Sequence, residues 1–329
     1  MDVDALVSQR GRPILYAVEF MKNPPNFSVI IPTYMRPKQI AACLKAFTRL
    51  DYPRDRFEII VVNDGGVIPL EPIIRPFSRD IEIRLLHQPN AGPAAARNYG
   101  AIHAKFEYLA FTDDDCRPAP DWLHTLSVPL TGHRVLVGGQ TVNALSDNHY
   151  SSASQVILDV AYLYHNPQPD HARFFASNNL ALPARPFQAL GGFDPAFTTS
   201  EDRDLCDRWL RSGYRLVYAP QALVYHAHEL TFSAFWRQHS AYGRGAWRYH
   251  RARALRGDGP FRPDLTFYRS LFRRPFSRGL STASLRLFGL VLLSQIANAA
   301  GFFDGRLSQL NPTYICPDPR QTLAHLSGS

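Results

Sequence analysis

The strongest constraint on the fold is a set of apolar, β-rich runs in the first 115 residues, each closed by a polar cluster. FSVIIPTY (27–34), FEIIVVNDGG (57–66), IEIRLLH (81–87) and FEYLAFTDDD (106–115) read as strands. Between them lie two helical patterns. PKQIAACLKAFTRL (37–50) has Pro37 in its first turn and Ile40, Leu44, Phe47 and Leu50 on one face. NAGPAAARNYGAIHA (90–104) opens at Gly92-Pro93. Strands that stay apolar along their length need cover on both faces, so the pattern is that of an α/β sheet flanked by helices. HRVLVGGQTV (133–142) adds a strand, and a weakly patterned stretch runs on to about 175. A short helix follows, with Thr198 or Ser200 as cap, Leu205, Trp209 and Leu210 inside and Gly213 as its stop. Beyond 233 the chain reads as helical, basic and aromatic.

In open α/β sheets ligands collect at the carboxyl ends of strands. Three polar clusters fall there: Thr33 and Tyr34, Asp64, and Asp113 to Asp115. Adjacent carboxylates repel, so the triple aspartate is either a solvated turn or a site for something positive, and a hard divalent cation prefers carboxylate oxygens. Asp64 suits an Asx turn before Gly65-Gly66, and equally an acceptor for a nucleobase N–H. Arg97, in the first turns of a helix, is either a surface arginine or a donor to an anion at that helix end. No GxGxxG follows the first strand, which disfavours a dinucleotide site.

Taken in order, VIIPTYMRP, VVNDGG, NAGPAAARN, FTDDD, GGFDPAF followed by SEDRDLCDRWLRSGYRL, and YHAHE resemble the family 2 glycosyltransferases of the GT-A fold over about residues 27 to 245. The resemblance implies a Rossmann-like mixed sheet flanked by helices, with a helical, basic C-terminal extension. It implies an N-terminal extension (1–26), a catalytic domain (27–232, donor half 27–142 and acceptor half 143–232) and a C-terminal region (233–329). It implies an inverting hexosyltransferase that takes a sugar from a nucleotide diphosphate donor, with uridine the expected base, to a glycan or lipid-linked acceptor. Pro32, Thr33, Tyr34 and Arg36 resemble the nucleotide-facing first loop. Asp64 resembles the acid that reads the base, and Arg97 the arginine near the nucleotide. Asp113 and Asp115 match a DxD motif, with Asp113 or Asp114 towards the ribose and Asp115 on the metal, Mn2+ or Mg2+. Asn178 and Asn179, before the Gly191-Gly192 turn, resemble the polar residues lining the sugar. Glu201-Asp202 matches the motif whose aspartate is the catalytic base. His226 matches a histidine that completes the metal shell in some members, with His228 as its substitute; a structural role stands beside this for both.

The chemistry is coherent on its own terms. A departing diphosphate needs charge stabilisation, which a divalent metal gives. The acceptor hydroxyl loses a proton as it attacks, which a carboxylate within reach accepts. At a helix start the dipole is expected to favour ionised Asp202, although the position equally fits a capping acid. One motif of the processive members, QxxRW, is absent, since Gln238 is followed by His239, Ser240, Ala241 and Tyr242. A single-addition enzyme is therefore expected.

The 329 residues carry a net charge of +8, unevenly placed. Between Trp236 and Arg286 twelve arginines face only Asp258 and Asp264. LFGLVLLSQIANAAGFF (287–303) follows, 17 residues without a charge, about the lower limit for a membrane span. A core helix, a helix lying on a membrane and a span all stand as readings. The arginines beside it favour an anionic membrane surface, hence a cytoplasmic enzyme peripheral on the inner face. The first twenty residues lack an apolar leader core, and no secretory leader is expected. Cys43, Cys116, Cys206 and Cys316 form no CxxC pair, so neither a disulfide framework nor a zinc site is expected. Two competing readings are weaker. A sugar nucleotidyltransferase starts with a Gly-rich loop, and IPTYMRP has no glycine. A nucleic-acid or polyanion binder leaves the acidic clusters unexplained, and no nucleic acid is expected as partner.

Overall fold

The computed structural model describes residues 24–130 and 132–308. The elements run β1 (Phe27–Thr33), α1 (Pro37–Phe47), β2 (Phe57–Asp64), α2 (Glu71–Ile74), β3 (Ile83–Gln88), α3 (Pro93–Ile102), β4 (Tyr108–Phe111), β5 (Cys116–Pro118), α4 (Trp122–Ser127), β6 (Val135–Asn143), α5 (His149–His165), β7 (Leu180–Pro183), α6 (Ala184–Ala189), α7 (Glu201–Arg211), β8 (Arg215–His226), α8 (Phe232–Arg253), α9 (Leu265–Arg273) and α10 (Thr282–Ser308). Residues 1–23, Cys316 and the tail from 309 lie outside the described residues. The other three cysteines are buried and unbridged.

All eight strands form one mixed sheet in the order β3-β2-β1-β4-β7-β6-β8-β5. β1 pairs in parallel with β2 and β4, and β2 with β3. β7 runs antiparallel to β4 and β6. Alternate side chains of one strand serve opposite layers. Val29 and Ile31 of β1 pack with Ile40, Leu44 and Phe47 of α1 and with Trp122 and Leu126 of α4. Ile30 packs on the other face with Ala101 of α3, Phe187 of α6 and Leu205 and Trp209 of α7. Each fully buried Leu, Ile or Phe contributes about 1.5–3 kcal/mol, so double-sided burial of β1 and β2 anchors this end of the sheet.

The structure departs from the sequence pattern in three places. The weakly patterned stretch contains α5, a 17-residue helix capped by Asn148, whose Oδ1 accepts from Ser151 N at 2.9 Å. Ala153 clusters with Phe235 of α8, and Val160 with Leu271 of α9 and Val291 of α10. Because several elements cover α5, no single apolar stripe marks it. β8 runs through Pro220; the pairing to β6 breaks between Gly139 and Gln140, where Ala219 is the partner of Gly139 and Leu223 that of Gln140. A bulge at this point accommodates a residue with no N–H. Ser200, one of the two expected residues, is the N-cap of α7, but it sits in the left-handed region (φ 70) without the expected side-chain cap bond; its neighbour Thr199 donates Oγ1 to Ala241 O of α8 at 2.8 Å.

The basic extension is helical, as expected, and α10 docks on α8 by close backbone approach. A Cβ at Gly243 would lie 1.9 Å from Asn298 O, and one at Gly301 would lie 1.9 Å from Ser240 O. α10 is long and apolar enough to cross a membrane, with 22% of its most apolar stretch buried. Leu285, Leu292, Ile296, Phe303 and Leu307 are exposed along it. Their spacing of seven and four residues puts them on one helix face.

Candidate active site

A cavity of about 1190 Å³ opens at the carboxyl ends of β1, β2 and β4. Its wall includes Pro32, Thr33, Tyr34, Arg36, Asp64, Arg97, Asp113, Asp114, Asp115, Asn178, Glu201, Asp202, His226 and His228. Residues far apart in the sequence thus meet in one place.

The three aspartates sit in the turn between β4 and β5, and each is held by its own set of donors. Asp113 Oδ1 accepts from Arg97 Nη2 at 2.6 Å. Asp114 Oδ2 accepts from Thr33 Oγ1 at 2.7 Å, and its Oδ1 from Arg36 Nη1 at 3.0 Å. Asp115 Oδ2 accepts from the same Arg36 nitrogen at 2.9 Å, and its Oδ1 lies 3.2 Å from His226 Nε2. His226 arrives through sheet register: Cys116 of β5 pairs with it, and Ala227 N donates to Asp115 O at 2.8 Å.

These environments split the acids. Burial pushes Asp114 up to about 6 against the pull of Arg36 and Thr33. Burial also works to raise Asp115, but the bond and charge of His226, then Arg36, hold it well below the usual carboxylate range. Burial works to lower His226, and Asp115 outweighs it, leaving the imidazole above its ordinary value. His228, with its ring 4.9 Å from that of His226, is held down to about 4 by burial and then by the charge of His226.

A metal fits this corner. Ligand atoms of Asp115, Cys116 and His226 lie within 4.8 Å of one another. Burial and the nearby carboxylates raise the Cys116 thiol well above its ordinary value, so it is neutral. With the thiol neutral, the Asp115 carboxylate and the His226 imidazole are the readier donors to a divalent cation. The Arg36 guanidinium already places positive charge on the same carboxylates.

Arg97 joins the acid turn to the start of α7. Buried, with 4% of its side chain exposed, it donates Nη1 to Glu201 Oε1 at 2.9 Å while Nη2 holds Asp113. Its guanidinium lies 5.6 Å from the Phe193 ring centroid. Asp202, next to Glu201, is pushed up to about 7 by burial and then by the charge of Glu201; Arg203 N donates to its Oδ1 at 2.7 Å, and that bond and Arg97 pull the other way. The expected help of the helix dipole is thus outweighed by desolvation and a like charge.

Other predicted residues hold the frame. Asp64 Oδ1 accepts from Gln88 Nε2 at 2.7 Å and Ala91 N at 2.9 Å, and Oδ2 from Gly92 N at 2.9 Å, fixing the entry to α3 beside the cavity. The Asx-type turn belongs to Asn63, whose Oδ1 accepts from Gly66 N at 2.8 Å. Asn178 Oδ1 accepts from Thr141 Oγ1 at 3.1 Å on the cavity wall. Asn179 is not brought to the cavity: it is fully buried, accepts from Trp122 Nε1 at 2.8 Å, and donates to the carbonyls of Gln140 and Ala222 at 2.9 Å each. Gly191 and Gly192 (φ 80 and 66) are not among the residues lining the cavity. A Cβ on Gly192 would meet Asn98 Oδ1 at 2.5 Å, and Asn98 grips Phe193 N at 2.9 Å, so this turn seats the ring beneath Arg97. Gln88 and Asn98 carry no pattern of their own, although Asn98 stands inside NAGPAAARN. Met35 (φ 56) and Ser200 (φ 70) are the two non-glycine residues with positive φ among those described, and both adjoin the site, where backbone strain tends to collect.

Comparison with known proteins identifies the family. Residues 28–189 match the model of glycosyl transferase family 2, and residues 109–303 that of glycosyl transferase family group 2. The chain is 32% identical over 264 residues to the pre-mycofactocin glycosyltransferase of Mycobacterium tuberculosis, covering 74% of this chain and 53% of that one. It is 27% identical over 241 residues to the probable glycosyltransferase YdaM of Bacillus subtilis, covering 69% and 56%. The chain thus spans about half the length of these curated relatives. The mannosyltransferase PcManGT of Pyrobaculum calidifontis, solved with GDP-Man and Mn2+, superposes with a TM-score of 0.57 at 21% identity, covering 91% and 88%. S. aureus TarS 1-349, solved with UDP-GlcNAc, gives 0.52 at 17%, covering 87% and 91%. At these identities the likeness is one of fold.

Proposed function

The chain belongs to the family 2 glycosyltransferases, and from that premise we propose that it moves a sugar from a nucleotide diphosphate donor, with uridine as the base, onto a hydroxyl of a glycan or lipid-linked acceptor, with inversion. One observation carries the reading: Arg97 ties Asp113 of the acid turn to Glu201 beside Asp202, so the leaving-group end and the base end share one cavity. In this reading Pro32, Thr33, Tyr34, Arg36 and Asp64 face the nucleotide, and Asn178 the sugar. Asp115 and His226 hold a divalent cation, which when bound supplies charge against the diphosphate. Asp202 accepts the proton of the acceptor hydroxyl as that oxygen forms its bond to the sugar's C1. The bond from C1 to the diphosphate oxygen breaks on the opposite face, and the nucleoside diphosphate departs. A base poised near neutrality suits this step. Glu201, clamped by Arg97, keeps Asp202 at the cavity wall.

The same reading places the enzyme on the cytoplasmic face of a membrane. Exposed Arg269, Arg273, Arg274 and Arg278 precede α10, whose outer face carries Leu285, Leu292 and Ile296. Elsewhere the arginines are used internally: Arg253 and Arg256 pair with Asp207, Asp258 and Asp204, which leaves less of the basic segment for a polyanion. The test is a screen of nucleotide sugars for thermal stabilisation with and without Mn2+, followed by turnover of Asp202→Asn. The expected outcome is metal-dependent stabilisation by a uridine sugar in both proteins, with turnover at least about 100-fold lower in the variant. Wild-type turnover in Asp202→Asn removes it as the base.

A further inference from the structure

The cavity continues past Asp202 between α5, α8, α9 and α10. At about 1190 Å³ it exceeds the roughly 300–1,000 Å³ that holds one small ligand, so a bound nucleotide sugar leaves a second chamber. Rings line this chamber. Tyr164 meets Phe267 at 5.4 Å, and His250, Phe261 and Phe302 follow one another at 4.1 and 5.4 Å. Burial, then the charges of Arg203 and Arg253, hold His250 down at about 3, so its ring is neutral. Phe303 belongs to both surfaces: it lines the cavity, is 58% exposed, and lies on the apolar outer face of α10. The chamber therefore opens onto the face bearing Leu292, Ile296 and Leu307. At its rim stands Arg262, exposed and with no ion-pair partner among the described residues.

We propose that this chamber is the acceptor site and that its ligand is a glycan carried on a lipid phosphate: the reacting hydroxyl at Asp202, the phosphate at Arg262, and the chain leaving past Phe303 along α10. The proposal rests on the glycosyltransferase reading, chooses between its two acceptor classes and assigns the acceptor its residues. An apolar ring-lined passage suits a chain that seeks burial, a guanidinium suits a phosphate, and an opening onto a membrane-facing helix lets such a molecule enter without leaving the bilayer.

The probe is farnesyl phosphate below its aggregation limit, with farnesol as its uncharged counterpart. It is titrated against the full chain and followed by tryptophan emission, since Trp247 touches Phe302 at 5.3 Å between ring centroids. Saturable binding is expected, at least about 10-fold tighter than farnesol. Arg262→Gln should erase that preference, and Phe303→Ser should weaken binding of both probes about 10-fold; both variants should keep wild-type thermal stability and Mn2+-dependent nucleotide-sugar binding. Wild-type affinities in both variants mean that the probe sits elsewhere and overturn the assignment, as does the absence of saturable binding by a protein that binds a nucleotide sugar. A wild type that binds no nucleotide sugar at all refutes instead the reading on which the proposal rests.

Discussion

Replacing Arg97 by glutamine should damage the protein before it damages the chemistry. The guanidinium is buried and answers two carboxylates, Glu201 with 8% of its side chain exposed and Asp113 with 30%. A glutamine at this position could keep one hydrogen bond but no charge. Removing one partner of a buried pair costs about 3–5 kcal/mol, because an unpaired charge is left behind. Glu201 bears the full penalty, whereas Asp113 rehydrates in part, so the total stays within that range rather than doubling it. At about 2–3 °C per kcal/mol for a chain of this size, the melting midpoint should drop by roughly 6–15 °C. Calorimetry with a check for reversibility measures it. The companion experiment is Glu201→Gln in the same background. Neutralising the orphaned acid should restore part of the loss, with a coupling of about 0.5–3 kcal/mol. A single variant that melts within about 2 °C of wild type, or a double variant less stable than the sum of both singles, refutes the argument that Arg97 is held by these two charges.

Two further expectations follow from the site and its surroundings. As the proposed base, Asp202 must be ionised to accept a proton and is held up to about 7, so kcat/KM should fall about tenfold per pH unit below roughly 6 and level off above about 8; Glu201→Gln, which removes the neighbouring like charge, should move that limb to lower pH. Leu292→Glu with Ile296→Glu, on the exposed face of α10, should abolish co-sedimentation with anionic vesicles without lowering the melting point; unchanged co-sedimentation would rule out that face as the contact.

What the sequence displayed and what it hid have a common cause. β1 and β2 were legible because both faces of each strand are buried and apolar, from Val29 to Ile31 and from Ile59 to Val62. The acid turn was legible because like charges in a row stand out. α5 was not, because contacts with α8, α9 and α10 leave it no clean polar side. The cap of α7 lies at Ser200, one of the two residues the sequence offers, but its left-handed backbone (φ 70) leaves it without a side-chain cap bond, a conformation with no local trace. Asp202 was misread for the same kind of reason: its sequence neighbours predict a dipole effect, whereas its burial is set by elements distant along the chain. Local chemistry identifies candidate residues, but their ionisation depends on what packs over them.

Asn179 shows the distinction most sharply, and a substitution there separates two roles. Sequence order puts it among residues lining a sugar, yet its amide closes on Trp122 Nε1 of α4, Gln140 O of β6 and Ala222 O of β8. The last two flank the register break between β6 and β8. Past that break β8 carries His226 to its place opposite Cys116, beside Asp115. A slip of one residue would turn His226 to the other face of the sheet, so the position of that imidazole depends on how firmly the break is fixed. Asn179→Leu keeps the size and removes every bond. It leaves a buried indole N–H and two carbonyls without partners, at about 1–3 kcal/mol for each that finds no substitute. A drop of about 3 kcal/mol or more in unfolding free energy is expected, together with weaker Mn2+-dependent nucleotide binding as His226 loses its alignment. Were Asn179 a sugar contact instead, the variant would keep wild-type stability and lose only affinity for the donor, with UDP binding unchanged. Unfolding in urea and calorimetry with UDP, run on the same preparation, decide between the two.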